Sequence, residues 1–168
     1  MTEFESRIKQ LEEYVEVDSA LNATTDSAFW FKDTSFRFVR YNQGMLDMLY
    51  PTANFADLLG KTDYEYAEET NVAADVVDAM KACCSVSDNY VFNASSRSEK
   101  FFERCTVLGS YEQRWLLTTK LRIPPESTRE TCLGLYGTAV EFKQAEQIIQ
   151  SGILNLEKLS DNCYRLVD

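Results

Sequence analysis

The chain has 168 residues, which is enough for one domain with a single hydrophobic core. Its 17 Lys and Arg against 27 Asp and Glu give a formal net charge of −10, and histidine is absent. So acidic a chain is a poor direct partner for nucleic acid or an anionic membrane, because phosphate contacts need clustered Lys and Arg. The lack of histidine excludes Ser-His-Asp and Cys-His catalysis, as well as His-ligated zinc or haem.

Neither a targeting signal nor catalytic machinery is visible. The N-terminus is charged from its first residues, and no stretch approaches the ~18 uninterrupted apolar residues of a membrane span. The five cysteines form no C-x-x-C pair and fit reduced core residues better than a redox or ligand role. No base and nucleophile occur together, and there is no metal-ligand spacing or Gly-rich phosphate loop. We expect a cytoplasmic protein that is not an enzyme and has neither a catalytic nor a metal site.

The first part of the chain predicts a helix followed by a β-hairpin. An amphipathic helix is expected over residues 2–17, within an N-terminal segment 1–21, because apolar residues recur at helical spacing. These residues are Phe4, Ile8, Leu11 and Val15. Residues 28–32 and 36–41 are aromatic and β-branched runs separated by a turn, which is typical of a hairpin.

Several helices are predicted next. Asn42 has the side chain of an N-cap for a short helix, and Thr62 with Glu65 forms a capping-box pattern at the start of another. A longer helix is expected over about 70–84. The Ser/Asn-rich stretch 85–99 resembles an insertion, and its pattern leaves its state open.

The second half predicts three strands, over residues 101–108, 114–122 and 132–140. The residues of the middle strand alternate between two faces. The face expected to lie in the core carries Trp115, Leu117, Thr119 and Leu121. The face expected to be solvated or to contact a partner carries Arg114, Thr118, Lys120 and Arg122. Two strands, helices and three more strands predict an α+β domain with an antiparallel sheet and helices on one side.

Residues 143–168 are expected to form a C-terminal output or dimerisation helix. An a/d apolar register runs from Phe142 to Leu166 for over three heptads, interrupted at Gly152. A helix of ~25 residues is ~37 Å long, too long for so small a domain to cover. Pairing with another helix, in a homodimer or a neighbouring domain, is therefore favoured over packing on the chain's own sheet. The residues expected in such helical seams are Ile8, Leu11, Val15, Ile149, Leu156 and Leu159.

Five segments, in order, resemble the PAS (sensory box) domain family. They are residues 28–33, 38–42, 59–64, 114–120 and 134–139. They are similar to the family's Lys-Asp turn, helix-opening Asn, Gly-Lys-Thr-Asp segment, Trp-bearing strand and Gly-bearing last strand. The resemblance covers residues 22–142 and implies a five-stranded antiparallel sheet closed on one face by short helices. It also implies flanking N-terminal and C-terminal helices that dimerise and transmit a signal.

Departures from the family pattern bear on coupling and cofactors. Residues 141–143 read Glu-Phe-Lys where the family often has Asp-Ile-Thr, so the usual coupling to an output helix is altered. Flavin-binding members carry a reactive Cys segment where this chain has Lys-Thr-Asp-Tyr-Glu at residues 61–65. Haem-binding members use a His that is absent here. Neither haem nor flavin is expected, and any cofactor is unknown.

The interior implied by the resemblance is a candidate ligand pocket. Flexible methionines on the helices would either fill a core or line that pocket, and polar groups on the strands would contact a ligand. The candidate ligand-binding residues are Met45, Met48, Val76, Met80, Cys105, Leu117, Thr119, Tyr136 and Thr138.

The resemblance implies a PAS-type sensory or regulatory module of bacterial-type signal transduction. Such a module binds a small ligand or a partner and relays its state through flanking helices. The relay would act on a homodimer, or on an output protein or domain outside this chain. The alternative is a ligand-free PAS-like dimerisation or interaction module with a fully packed core. Neither involves direct nucleic-acid binding or a membrane span.

Overall fold

An antiparallel sheet forms the scaffold of the computed structural model, which describes Ser6, residues 27–95 and residues 98–168. The strands within these residues are β1 (Ala28–Lys32), β2 (Phe38–Tyr41), β3 (Ser98–Thr106), β4 (Gln113–Ile123), β5 (Gly134–Glu141), β6 (Leu156–Ser160) and β7 (Cys163–Leu166). Their order across the sheet is β2-β1-β5-β4-β3-β7-β6, and every neighbouring pair is antiparallel. The α+β class is confirmed, with seven strands instead of the expected five.

The sheet is accompanied by helices, three of which cover one of its faces. Those in the described part of the chain are α1 (Gln43–Leu49), α2 (Asp63–Glu69), α3 (Ala74–Asn93) and α4 (Ala145–Ser151). Residues of α1, α2 and α3 share a buried apolar cluster with Trp30 of β1, Cys105 of β3 and Leu116 of β4. We call this side of the sheet the inner face and the opposite side the outer face. None of these helices is long and apolar enough to cross a membrane.

Local capping signals placed α1 and α2 correctly. The Asn42 side chain accepts the Met45 N–H at 3.0 Å and the Phe29 N–H at 3.0 Å, so one amide caps α1 and ties it to β1. Thr62 and Glu65 form the reciprocal capping box predicted for α2. These two predictions are confirmed.

The long helix lies further along the chain than its predicted range of 70–84. Helix α3 continues to Asn93, so most of the stretch 85–99 is helical. Val91 and Phe92 explain the continuation, because both are buried against Phe101 of β3. Arg122 then caps the helix end by donating to the carbonyls of Val91 at 3.1 Å, Phe92 at 3.3 Å and Ala94.

The predicted helix over residues 143–168 is wrong. Helix α4 ends at Ser151 because Gly152 takes the left-handed conformation, with φ of 70°. Strands β6 and β7 follow as a hairpin, and β7 extends the sheet along β3. The apolar spacing read as heptads is used by strands instead, since Leu159 and Cys163 pack against α3 in the second core cluster.

The remaining seam residues do not form a C-terminal helical stripe. Ile149 lies on the short helix α4, whereas Leu156 lies on β6. The helix predicted over residues 2–17 lies outside the described residues except for Ser6, and so do Ile8, Leu11 and Val15. The N-terminal part of the dimer prediction therefore stays a prediction.

A substitution at Cys163 tests whether the C-terminal hairpin packs against the core. Its side chain is fully buried and its Cα faces that of Glu103 in the β3–β7 register. We expect Cys163→Asp to lower the free energy of unfolding by about 3–5 kcal/mol, because it places an unpaired charge in the core beside Glu103. Lys158→Ala, on the exposed side of the same hairpin, should change it by less than about 0.5 kcal/mol. Urea unfolding measures both, and equal effects would show that β7 does not pack against the core.

Candidate functional site

Five charged side chains meet between the inner face and the helices, and we call them the charge cluster. All are buried, with at most 6% of any residue exposed. Each comes from a different element: Lys32 from β1, Asp63 from α2, Asp88 from α3, Glu103 from β3 and Lys120 from β4. Charged side chains are almost never buried unless they are paired, so the pairing within the cluster decides whether this arrangement is stable.

Asp88 is the centre of the charge cluster. Its Oδ1 accepts from Lys120 Nζ at 2.8 Å, and its Oδ2 accepts from Lys32 Nζ at 2.9 Å. Lys32 also donates to Asp63 at 2.7 Å, and Lys120 donates to Glu103 at 3.2 Å. One carboxylate on α3 therefore joins two strands of the sheet, and each ammonium has a second acidic partner.

Hydroxyl groups complete the polar contacts. Tyr50 donates to Asp63. Thr118 donates to Glu103 at 2.7 Å, and Ser87 donates to the other oxygen of the same carboxylate. Ser87 also accepts from Lys120 at 2.6 Å. These bonds satisfy the remaining lone pairs of the buried carboxylates, which a buried ion pair needs in order to be tolerated.

The ion pairs keep the cluster charged. Burial lowers the pKa of Lys32, but Asp63 and Asp88 outweigh burial and raise the pKa above its usual range. Burial likewise lowers the pKa of Lys120, and Asp88 and Glu103 raise it well above normal. Burial raises the pKa of Asp88, but the two lysines lower this pKa by more than burial raises it, so the net shift is downward. Near neutral pH the two lysines and Asp88 are therefore all ionised.

A small cavity of about 30 Å³ adjoins the charge cluster. Trp30, Lys32, Asp63, Glu103 and Lys120 line its polar side. Its apolar side is lined by Phe38, Met45, Leu49 and Leu116. This volume suits one or two water molecules, whereas pockets that enclose drug-sized ligands are typically about 300 Å³ or larger.

The candidate ligand-binding residues divide between the two faces of the sheet. Met45 and Cys105 line the cavity. Met48, Val76 and Met80 belong to the same core cluster without lining it. The other four lie on strand positions that face away from the cavity: Leu117, Thr119, Tyr136 and Thr138. Tyr136 contacts Phe31 on the outer face, with ring centroids 4.9 Å apart.

The predicted orientation of β4 is inverted. Thr118, Lys120 and Arg122 point to the inner face and are buried, whereas Trp115 and Thr119 lie on the outer face and are partly exposed. Alternation correctly grouped the residues, but the assumption that the basic group would be solvated was wrong. Buried acidic partners on other elements reverse that preference, and a single strand carries no sign of them.

Lys32, Asp63, Asp88, Glu103 and Lys120 were not among the residues proposed for a site. Asp63 falls in the Gly-Lys-Thr-Asp segment of the family resemblance, and Lys32 falls in its Lys-Asp turn. The family resemblance at these two positions was the sequence signal that could have identified them as site residues. Asp88 and Glu103 gave none, because nothing in their neighbouring sequence distinguishes them from solvated acids.

Three cysteines lie near the cluster. Cys83 and Cys105 have sulfurs 3.8 Å apart, and Cys84 lines the cavity. All five cysteines are free. The contact with Cys105 and burial raise the pKa of Cys83 well above its usual range, so its reactive thiolate form is suppressed. Among the described residues, no group of three or more acidic or cysteine side chains could hold a metal ion.

An open groove of about 690 Å³ lies on the far side of α3, away from the charge cluster. Its lining includes Asn89, Tyr90 and Arg165, and Arg165 stacks 5.0 Å from the Tyr90 ring centroid. Arg165 is already paired with Glu157 at 2.7 Å and Glu99 at 3.2 Å. The groove is larger than the cavity, but the charged residues in its described lining, Glu99 and Arg165, are paired with each other, so we regard the cavity as the candidate site.

Comparison with solved structures identifies the fold. The PAS domain of Bordetella pertussis BvgS is 16% identical, with a TM-score of 0.54 over 85% of this chain and 93% of that one. A phage VqmA–DPO complex is 15% identical, with a TM-score of 0.52 over 89% of this chain and 64% of that one. A Vibrio cholerae VqmA–ligand–DNA complex is also 15% identical, with a TM-score of 0.52 over 86% and 61%. The chain therefore has a PAS-like fold, although no family model or curated protein matches its sequence.

The bond between Asp88 and the two lysines gives a stability prediction. Asp88→Asn should lower the free energy of unfolding by about 3–5 kcal/mol, because it leaves two buried ammonium groups short of a carboxylate. The pKa of Asp88 is lower in the folded state, so its contribution is present above its unfolded pKa of about 3.9 and is lost as pH falls through the folded pKa. The difference between wild type and variant should thus be constant from about pH 5 to 8 and shrink below about pH 4.

Asp78→Asn is the matched control, because Asp78 lies on the exposed side of the same helix. It should change the free energy of unfolding by less than about 0.5 kcal/mol and leave the pH profile unchanged. Chemical denaturation across this pH range measures both variants. A wild-type-like pH profile for Asp88→Asn would contradict the assigned ion pairs.

Proposed function

We propose that this PAS-like domain is a sensory or regulatory module that binds a small molecule in the cavity beside the charge cluster. The observation that carries the proposal is the charge cluster itself. Hydrophobic side chains can fill such an interior at equal or better stability, so buried ion pairs are not needed to hold a core together. A few convergent polar groups on an otherwise apolar wall are what a ligand-binding pocket requires.

The small volume of the cavity requires that its wall moves when a ligand enters. Met45 and Leu49 of α1 form the part of the wall best suited to this. Met45 is an unbranched side chain with three rotatable bonds, and Leu49 is only partly buried. Helix α1 has only seven residues, and the polar ties of Asn42 to β1 lie at its start. A change of rotamer at Met45 would enlarge the cavity while the end of α1 stays held by the hydrogen bond from the Leu108 N–H to the Leu49 carbonyl at 2.9 Å.

A bound molecule would change the structure beyond the cavity. The charge cluster links α2 and α3 to β1, β3 and β4, so a ligand that competes for one of its bonds changes how both helices sit on the sheet. The phage VqmA–DPO complex and the Vibrio cholerae VqmA–ligand–DNA complex support ligand binding by a fold of this kind. Homodimer formation, an output outside this chain, a cytoplasmic location and the lack of enzymatic activity are parts of the same proposal.

A ligand-free interaction module is the second candidate. The cavity volume of about 30 Å³ favours it, because a core this full resembles ordinary packing with buried water. In that case the charge cluster would fix the geometry of the domain, and the surface of the domain would bind the partner. The two candidates differ in whether the interior opens for a small molecule.

Ligand screening separates them. Purified protein is screened against a metabolite panel for a shift of several degrees in melting temperature. Met45→Phe places a larger side chain in the cavity wall and should abolish any such shift. Thr119→Val, on the outer face, should leave it intact. If no compound shifts the melting temperature, or if Met45→Phe retains the shift, the cavity is not the sensing site and the interaction module is favoured.

A further inference from the structure

Two buried cysteines face each other between α3 and β3. The sulfurs of Cys83 and Cys105 are 3.8 Å apart, and both residues belong to the main apolar cluster. Cys83 also donates to the Arg104 carbonyl at 3.3 Å, so its sulfur is directed at the strand. Both thiols are free. The sulfurs need to approach by only about 1.8 Å to reach the ~2.0 Å of a disulfide bond.

The neighbouring contacts hold the two sulfurs together. Ser87 lies one turn after Cys83 on α3 and donates to Glu103 of β3. Glu103 lies two residues before Cys105 on the same strand. Residues four apart on a helix share a face, and so do residues two apart on a strand. The sulfur contact is therefore the next step of a helix–strand crossing that the charge cluster already fixes.

A second cavity, of about 20 Å³, adjoins both sulfurs. Its lining includes Cys83, Cys84 and Cys105, together with the exposed Gln113 and the half-buried Asn162. A volume of this size holds about one water molecule. The sulfurs therefore line a space that borders the surface and has room for a small oxidant such as hydrogen peroxide.

Of the two thiols, Cys105 ionises more readily. The contact with Cys83 lowers the pKa of Cys105, but burial and the Glu103 carboxylate raise this pKa by more. The contact with Cys105 and burial both raise the pKa of Cys83, which lies well above its usual range. Thiolate is scarce at neutral pH, so the pair reacts slowly with an oxidant. Such a pair responds to sustained oxidation and not to a brief pulse.

We propose that Cys83 and Cys105 are a redox-sensitive pair that hydrogen peroxide converts to a reversible disulfide bridge between α3 and β3. The bridge itself does not depend on a ligand. Cys105 also lines the cavity beside the charge cluster, so a bridge would hold α3 to the sheet at the wall of that cavity. A ligand that must move α3 would then bind less tightly, a consequence that rests on the proposed function.

The reaction balances with hydrogen peroxide as the oxidant. The Cys105 thiolate attacks one peroxide oxygen, the O–O bond breaks, and the departing hydroxide takes up a proton to give water. Cys105 is then a sulfenic acid, and the Cys83 sulfur attacks its sulfur, losing its own proton while the S–O bond breaks and a second water leaves. Two thiols and one peroxide thus give one disulfide and two waters, with two electrons passing from sulfur to peroxide.

Peptide mapping tests the bridge. Reduced, folded protein is treated with hydrogen peroxide, the remaining free thiols are alkylated, and the peptides are identified by mass spectrometry. We expect Cys83 and Cys105 in one linked peptide pair, a protein mass lower by two hydrogen atoms, and reversal by dithiothreitol. The bridged protein should melt about 5 °C or more above the reduced protein, because the bridge constrains the unfolded chain.

Three serine variants assign the bridge to its sulfurs. Cys83→Ser and Cys105→Ser should each abolish the linked peptide and the shift in melting temperature. Cys84→Ser is the matched control and should keep both, because Cys84 is the adjacent residue and lines the same cavity. The peptide map of the wild-type protein needs no variant, so it decides the proposal if a serine variant unfolds.

Several results would overturn the proposed pair: a linkage to Cys84, a bridge between two chains, sulfinic acid without a bridge, or thiols that react only in urea. Any ligand found in the metabolite panel should bind the oxidised protein about tenfold or more weakly than the reduced protein. An unchanged affinity would overturn control of the cavity and leave the bridge. If the panel yields no ligand, the proposed function fails and this control with it, whereas the peptide map still decides the bridge.

Discussion

Asp88 is the residue on which the arrangement of this domain depends. The two ammonium groups buried on β1 and β4 share one carboxylate, that of Asp88, which projects from α3. Helix α3 must therefore cross the sheet at one height and rotation, with Asp88 over the gap between Lys32 and Lys120. The apolar clusters on either side of this point add stability but do not specify the crossing so narrowly. The hydrophobic core makes α3 pack on the sheet, and the ion pairs determine its position there.

A packed apolar core would have met the needs of stability alone. Desolvating five charged groups is costly, and the pairs recover that cost only because hydroxyls of Tyr50, Ser87 and Thr118 complete their bonding. Among the described residues, Trp30 Nε1 and the Nε atoms of Arg114 and Arg122 are buried without a hydrogen-bond partner.

Local sequence signals predicted the elements, and their limits follow from physics. Asn42 and Thr62 predicted the starts of α1 and α2, because a capping side chain accepts a hydrogen bond from a backbone N–H only three residues further along the chain. The alternation in β4 showed which residues share a face but could not show which face is inside. That choice usually follows polarity, and here Lys120 goes inward because Asp88 and Glu103, 32 and 17 residues away, are already there. The charge cluster was missed for the same reason, since its partners come from five separate elements.

The C-terminal hairpin shows the same limit for a periodic pattern. Apolar residues seven apart fit a heptad, yet Gly152 ends the helix and Cys163 pairs with β3 instead, opposite Glu103. This register places the hairpin next to a member of the charge cluster. Under the proposed function, a ligand that draws Lys120 away from Glu103 changes the charge facing Cys163, and so the packing of the strand that carries it. The hairpin then occupies the position from which a change in the cavity would reach the edge of the sheet.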